Sequence, residues 1–187
     1  WGGNASTDPV ENLKGRMHFL QAVYQAVRAQ VGSDYPVFAK LGMMDGVEGG
    51  LTPDQAVQVA AALEKMGLDA VEISGGISGG SRNLNVRPGI RSEADEAYFR
   101  SLARQTRAAT QLPIILVGGF RSRQVMEDVL AAGDADFISL CRPLIAEPDL
   151  PNLLRQGLAE QSICISANLC WPDELGEGIS CKCAIKG

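Results

Sequence analysis

Apolar residues recur at three- and four-residue spacing through the opening stretch PVENLKGRMHFLQAVYQAVRAQVG. Met17, Leu20, Val23, Tyr24 and Val27 thereby share one helical face, and Gly32 follows as a C-cap. The pattern then changes. YPVFAKLG is short and apolar with one charge inside it, the signature of a buried strand. TPDQAVQVAAALEKMG returns to helical spacing, with Thr52 as N-cap, Pro53 at the first helical position and Gly67 at the end. LDAVEISGG predicts a second strand, and a Gly-, Arg- and Ser-rich loop leads to a third helix over EADEAYFRSLARQTRAAT. LPIILVGG predicts a strand, SRQVMEDVLAAG a helix, DADFISLCRP a fourth strand and LPNLLRQGLAEQ a closing helix.

Strands alternating with helices of this length pair in parallel through βαβ units. Near-continuous apolar strands are expected where both faces of a sheet are covered. An open doubly wound sheet and a (β/α)8 barrel both fit this order. The glycine fingerprint usual between the first strand and helix of the open sheet does not occur here. A TIM (β/α)8 barrel, represented by its last four βα units, is therefore the expected α/β fold, since a whole barrel takes about 250 residues. Residues 1–160 would form this half-barrel and residues 161–187 a cysteine-containing tail.

Composition narrows the function classes. The chain has 187 residues, 45% of them hydrophobic, and a formal net charge of −5. That suits one globular domain, and it leaves no basic stripe for nucleic acid. No apolar run approaches the ~20 residues needed to span a bilayer. The sequence opens on Trp1 in what reads as a loop interior, which points to an excerpt of a longer protein. Its five cysteines, Cys141, Cys164, Cys170, Cys181 and Cys183, are odd in number, which favours a reducing cytoplasm over a disulfide framework.

In such barrels chemistry lies where strands run into their following loops. The first strand end carries Lys40, the second SGGISGG, the third Gly118 and Gly119, and the fourth Cys141 and Arg142. The last two ends suit a phosphate: bare glycine backbone for close approach, and a guanidinium beside a short helix PLIAEP begun by Pro143. Alternatively, the glycines only turn the chain and Arg142 pairs with a surface carboxylate. Alternation puts Phe38 and Lys40 on one face of their strand. A lysine there needs an anionic partner, either Glu72 at similar depth in the next strand or a bound electron-rich cofactor. The long loop with Arg82, Arg87 and Arg91 receives no catalytic role, nor does the lone His18 in the first helix. The tail thiols lack a close CxxC pair and predict no metal site.

These strings resemble the second half of the old yellow enzyme family of NADH:flavin oxidoreductases. WGG and GRMHFLQAVYQAVRAQVG are similar to the family's aromatic-Gly-Gly turn and NRxRFL helix, with Arg16 at that motif's arginine. PVFAKLGMMDGVEGGLT, GLDAVEISGG, PIILVGGFRS and ADFISLCRPLIAEPDLPN resemble its fifth to eighth strands. The resemblance implies an FMN-binding barrel. Lys40 would be the catalytic and cofactor-binding base of strand five, beside the flavin N1–O2 edge, where positive charge stabilises the reduced anionic ring. Gly118, Gly119 and Phe120 would hold the FMN phosphate with Cys141 and Arg142, and Gly75 and Gly76 would follow the ribityl chain.

The sequence departs from the family in three places. The barrel's first half, with the substrate-anchoring pair and the tyrosine proton donor, does not occur here. An insertion, roughly STDPV, lengthens the opening turn. Ala167 stands where some relatives carry the second cysteine of a 4Fe–4S motif. The expected activity is hydride transfer from NAD(P)H through FMN to an activated alkene or similar small-molecule electrophile, with this chain alone incomplete. Two alternatives are a flavin-free phosphate-binding barrel enzyme and a half-barrel that associates with another copy or with a separate first half.

Overall fold

A computed structural model describes residues 9–77, 85–171 and 178–183, without the side chains of residues 9–14 and of Arg16. The expected aromatic-Gly-Gly turn, Arg82 and the first part of the insertion lie outside the described residues, as does the Arg16 side chain.

Four strands form one parallel sheet in sequential order: β1 Phe38–Gly42, β2 Ala70–Ser74, β3 Ile114–Leu116 and β4 Phe137–Ile138. Helix α1 Pro9–Val31 precedes β1, α2 Pro53–Lys65, α3 Arg100–Ala109 and α4 Arg123–Ala131 run between successive strands, and short helices α5 Arg142–Ala146 and α6 Leu150–Arg155 follow β4. This is four consecutive βα units with the connectivity of a barrel half.

Local sequence accounts for the elements. Helix α2 starts as its residues dictate: Gln55 N–H donates to Thr52 Oγ1, and the Gln55 side chain accepts from Thr52 N–H. Ala56, Val59, Ala60 and Leu63 line its inner face, each 0% exposed. They pack against one side of the sheet, where Val71, Ile73, Ile114 and Leu116 are also fully buried. The opposite side is the inner face of the barrel. Within this chain it is largely open, with Phe38 59% and Phe137 58% exposed.

The third helix differs from its expected span. A single 3-10 turn occupies Glu93–Asp95, closed by Ser92 Oγ on Asp95 Oδ2, and α3 begins only at Arg100. Ala97 takes a left-handed φ of 51°, which no helix interior permits. The helical period continues through this corner, but burial of Glu96 overrides it. Its carboxylate accepts from the backbone N–H groups of Arg121 and Ser122 and from Ser122 Oγ. The closing helix is also shorter than expected, ending in Gly157 at φ 68°.

At the lower end of the sheet, carboxylates close the backbone. Asp69 accepts from Val37 N–H at 2.7 Å and pairs with Arg28 of α1. Asp136 accepts from Ile114 N–H at 2.7 Å and pairs with Arg107 of α3. Asp134, nearly buried, ties α3 to the end of α4 through Arg100 and Arg104.

Candidate functional site

The strand ends converge on a cavity of about 260 Å³. Lys40, Gly75, Gly76, Gly119, Phe120, Cys141 and Arg142 all line it, so seven of the eight predicted site residues meet there. The eighth, Gly118, stands in sequence between the lining residues Val117 and Gly119.

The two glycines after β3 have a concrete geometric reason. Gly118 and Gly119 take φ of 150° and 76°. A Cβ on Gly118 would stand 3.1 Å from Tyr98 N, and one on Gly119 would stand 2.8 Å from Tyr98 Cε1. The close approach is therefore first to the protein itself: the corner at Ala97–Phe99 packs onto the turn, and Tyr98 N–H donates to Gly118 O. Glu96 holds Arg121 and Ser122, just beyond Phe120 in the same segment, through their backbone N–H groups. Arg121 belongs to this frame and not to the cavity lining, donating to Ile90 O and Ser162 O.

Arg142 opens α5, with Pro143 beside it in the first turn, as the sequence predicts. Its guanidinium, on a residue only 9% exposed, pairs with no carboxylate among the described residues. It donates instead to Arg87 O at 2.8 Å and to Asn168 Oδ1. Asn168 in turn donates to Val86 O, so the residues after α6 fold back against the cavity. Gly89 N–H to Ser166 O and the bridge between Ser122 and Gln161 secure that return.

Lys40 lines the cavity from β1. It sits opposite Glu72 in the β1–β2 register, and its Nζ meets Glu72 Oε1. The same oxygen accepts from Ser139 Oγ at 3.0 Å. Lys40 is thus ion-paired and also lines the cavity.

Several lining residues carried no sequence signal. Tyr98 sits inside an apparently helical run, where nothing distinguishes it from a core aromatic. Arg87 stacks over its ring with Cζ 4.6 Å from the centroid. Ser166 and Asn168 take left-handed φ of 54° and 60°, and no periodic pattern announces such turns. His18 is exposed on α1 and does not line the cavity.

Two of the tail thiols lie in surroundings that disfavour the thiolate. Burial pushes the Cys170 thiol up, and burial with the nearby Cys181 does the same for Cys183, whose sulfur lies 4.0 Å from that of Cys181. Among the described residues no group of three His, Cys, Asp or Glu side chains is arranged to hold a metal ion.

The sequence pattern of the NADH:flavin oxidoreductase / NADH oxidase family matches residues 3–161. The chain belongs to that family. An NADH oxidase of Thermoanaerobacter brockii is 29% identical over 176 residues, covering 93% of this chain and 26% of that protein. A 4,4'-dithiodibutanoate disulfide reductase of Rhodococcus erythropolis is 32% identical, covering 84% of this chain and 45% of that one. A solved 2-naphthoyl-CoA reductase in complex with 2-naphthoyl-CoA superposes with a TM-score of 0.71 at 27% identity, covering 91% of this chain and 24% of that one. The old yellow enzyme homologue of Zymomonas mobilis shares the fold at a TM-score of 0.60 and 21% identity, over 83% of this chain and 41% of that one. The chain thus spans less than half the length of these family members. Its fold is the corresponding part of their α/β barrel. Among the described residues, no helix is long and apolar enough to cross a membrane.

Proposed function

We propose that this chain forms the FMN phosphate and ring-edge side of a flavin-dependent NAD(P)H oxidoreductase acting in the cytoplasm. One observation carries the reading. In a chain of net charge −5, the charged residues lining the cavity are Lys40 and Arg142, both cationic, among the described residues. Apolar groups, among them Val117, Leu140 and Phe120, line it as well. A cavity with two cations and apolar walls fits an anionic, flat cofactor, and the donor set suits FMN.

FMN bound there would supply hydride transfer between NAD(P)H and a small electrophile such as an activated alkene. The chain's own residues bind and orient it. Arg142, fixed by Arg87 O and Asn168, presents a preset guanidinium to the phosphate. Gly118, Gly119 and Phe120 supply backbone in a turn held by the 96–99 corner, and Cys141 precedes Arg142 on the cavity wall. Gly75 and Gly76 line the side wall. Lys40 adds a second positive charge to the cavity lining.

Arg142→Ala is expected to weaken FMN binding at least tenfold, read by quenching of flavin fluorescence on titration. An unchanged dissociation constant would remove Arg142 from the phosphate site.

A second reading has its own observation. Phe38 and Phe137 stand exposed on the inner face, and Phe19, Val23, Val27 and Val31 form an exposed stripe on α1. Strands β1 and β4 are sheet edges. Such surfaces fit a second α/β unit completing the barrel, either another copy or a separate first half. Sedimentation of the chain alone and with added FMN separates a monomer from such an assembly.

A further inference from the structure

The Lys40 cation does not stand alone on the cavity floor. Glu72 faces it directly across the β1–β2 register, and their side chains meet on the inner face. Lys40 and Ser139 both line the cavity, whereas Glu72, which binds them both through one oxygen, lies beneath them. The three side chains bring together β1, β2 and the residue that follows β4.

We propose that Glu72 is a positioning residue and built-in counter-ion that sets how much of the Lys40 charge a bound ligand experiences. The inference rests on the flavin reading of the cavity above. The carboxylate holds the ammonium toward β2 and cancels most of its field, so negative charge developing beside Lys40 competes with Glu72 for it. An ammonium has three donors, and the Glu72 bond engages one, so the lysine can turn toward a ligand without leaving its partner. The Ser139 hydroxyl shares the same carboxylate oxygen. It draws off part of the carboxylate's charge and leaves more of the lysine's for the ligand.

The test compares midpoint reduction potentials of bound FMN in the flavin-loaded protein, with FMN dissociation constants measured in parallel. Glu72→Gln keeps the shape and removes the negative charge. It is expected to favour the reduced cofactor at least tenfold, a rise of about 30 mV for a two-electron couple. FMN affinity should stay within about threefold, because Arg142 is untouched. Ser139→Ala, which returns the full carboxylate charge to Lys40, is expected to shift the potential the opposite way. A role confined to packing would move affinity or melting temperature and leave the potential in place. Flavin-loaded variants with the wild-type potential would overturn the counter-ion role while leaving the flavin reading intact. A wild-type protein that binds no FMN would instead overturn the flavin reading, and this inference with it.

Discussion

Two helix–strand pairs follow one another in this chain, α1–β1–α2–β2 and α3–β3–α4–β4, and they share one construction at the base. In each, an aspartate just before the second strand accepts a backbone N–H from just before or at the start of the first. An arginine from the leading helix grips the same carboxylate: Arg28 and Val37 on Asp69, Arg107 and Ile114 on Asp136. At the top the pairs diverge. The first ends in a half-exposed ion pair, Lys40 with Glu72, and the second in a rigid turn, Gly118–Gly119, with Arg142 fixed behind it. The repeated end serves stability, and the divergent end supplies two different binding groups from one architecture.

The comparison can be broken from below. Asp136→Ala leaves Ile114 N–H, in a partly buried setting, without its acceptor, and should cost about 2 kcal/mol in urea unfolding. Asp69→Ala, whose bond to Val37 is exposed, should cost about half as much by the same reasoning. Equal losses would show that the two clamps carry the same load despite their different surroundings.

Acid sharpens it next. The Val37 N–H and Arg28 hold the Asp69 carboxyl below its ordinary value of 3.8. Burial opposes the charge on Asp136, yet the Ile114 N–H and Arg107 outweigh it and hold that carboxyl low as well. Groups with depressed folded values stabilise the protein fully above their unfolded value and lose that contribution as pH falls through the folded one. Stability should therefore drop as pH falls below about 3.8, and the double variant Asp69→Asn/Asp136→Asn should show a shallower drop. A slope matching wild type would place the acid-sensitive groups elsewhere.

The smallest effect belongs to the open inner face. Phe137→Ser removes a ring that is 58% exposed within this chain and should change its stability by no more than about 0.5 kcal/mol. A larger loss in the isolated chain would mean that the face is already covered by another copy.

The sequence makes the repeated part of this design legible and hides the exceptions. Two-residue alternation places Lys40 and Glu72 on one face, and the Thr52–Pro53 start of α2 follows from local chemistry alone. The glycine pair and Arg142 are visible because strand ends in βα units are the places to look. The corner at Glu96–Phe99 is not visible, because its residues keep helical spacing while a long-range carboxylate contact forces Ala97 out of helix. The return of Ser166 and Asn168 to the cavity is equally silent, since left-handed turns at residues other than glycine leave no pattern.

That corner has a consequence for how the barrel can be reassembled. Glu96 reaches forward to the backbone of Arg121 and Ser122, across the whole of α3 and β3. Residues 96–122 therefore travel as one block. A chimera joined inside that interval separates a buried carboxylate from its donors, whereas a junction in the loop before Ser92 keeps them together.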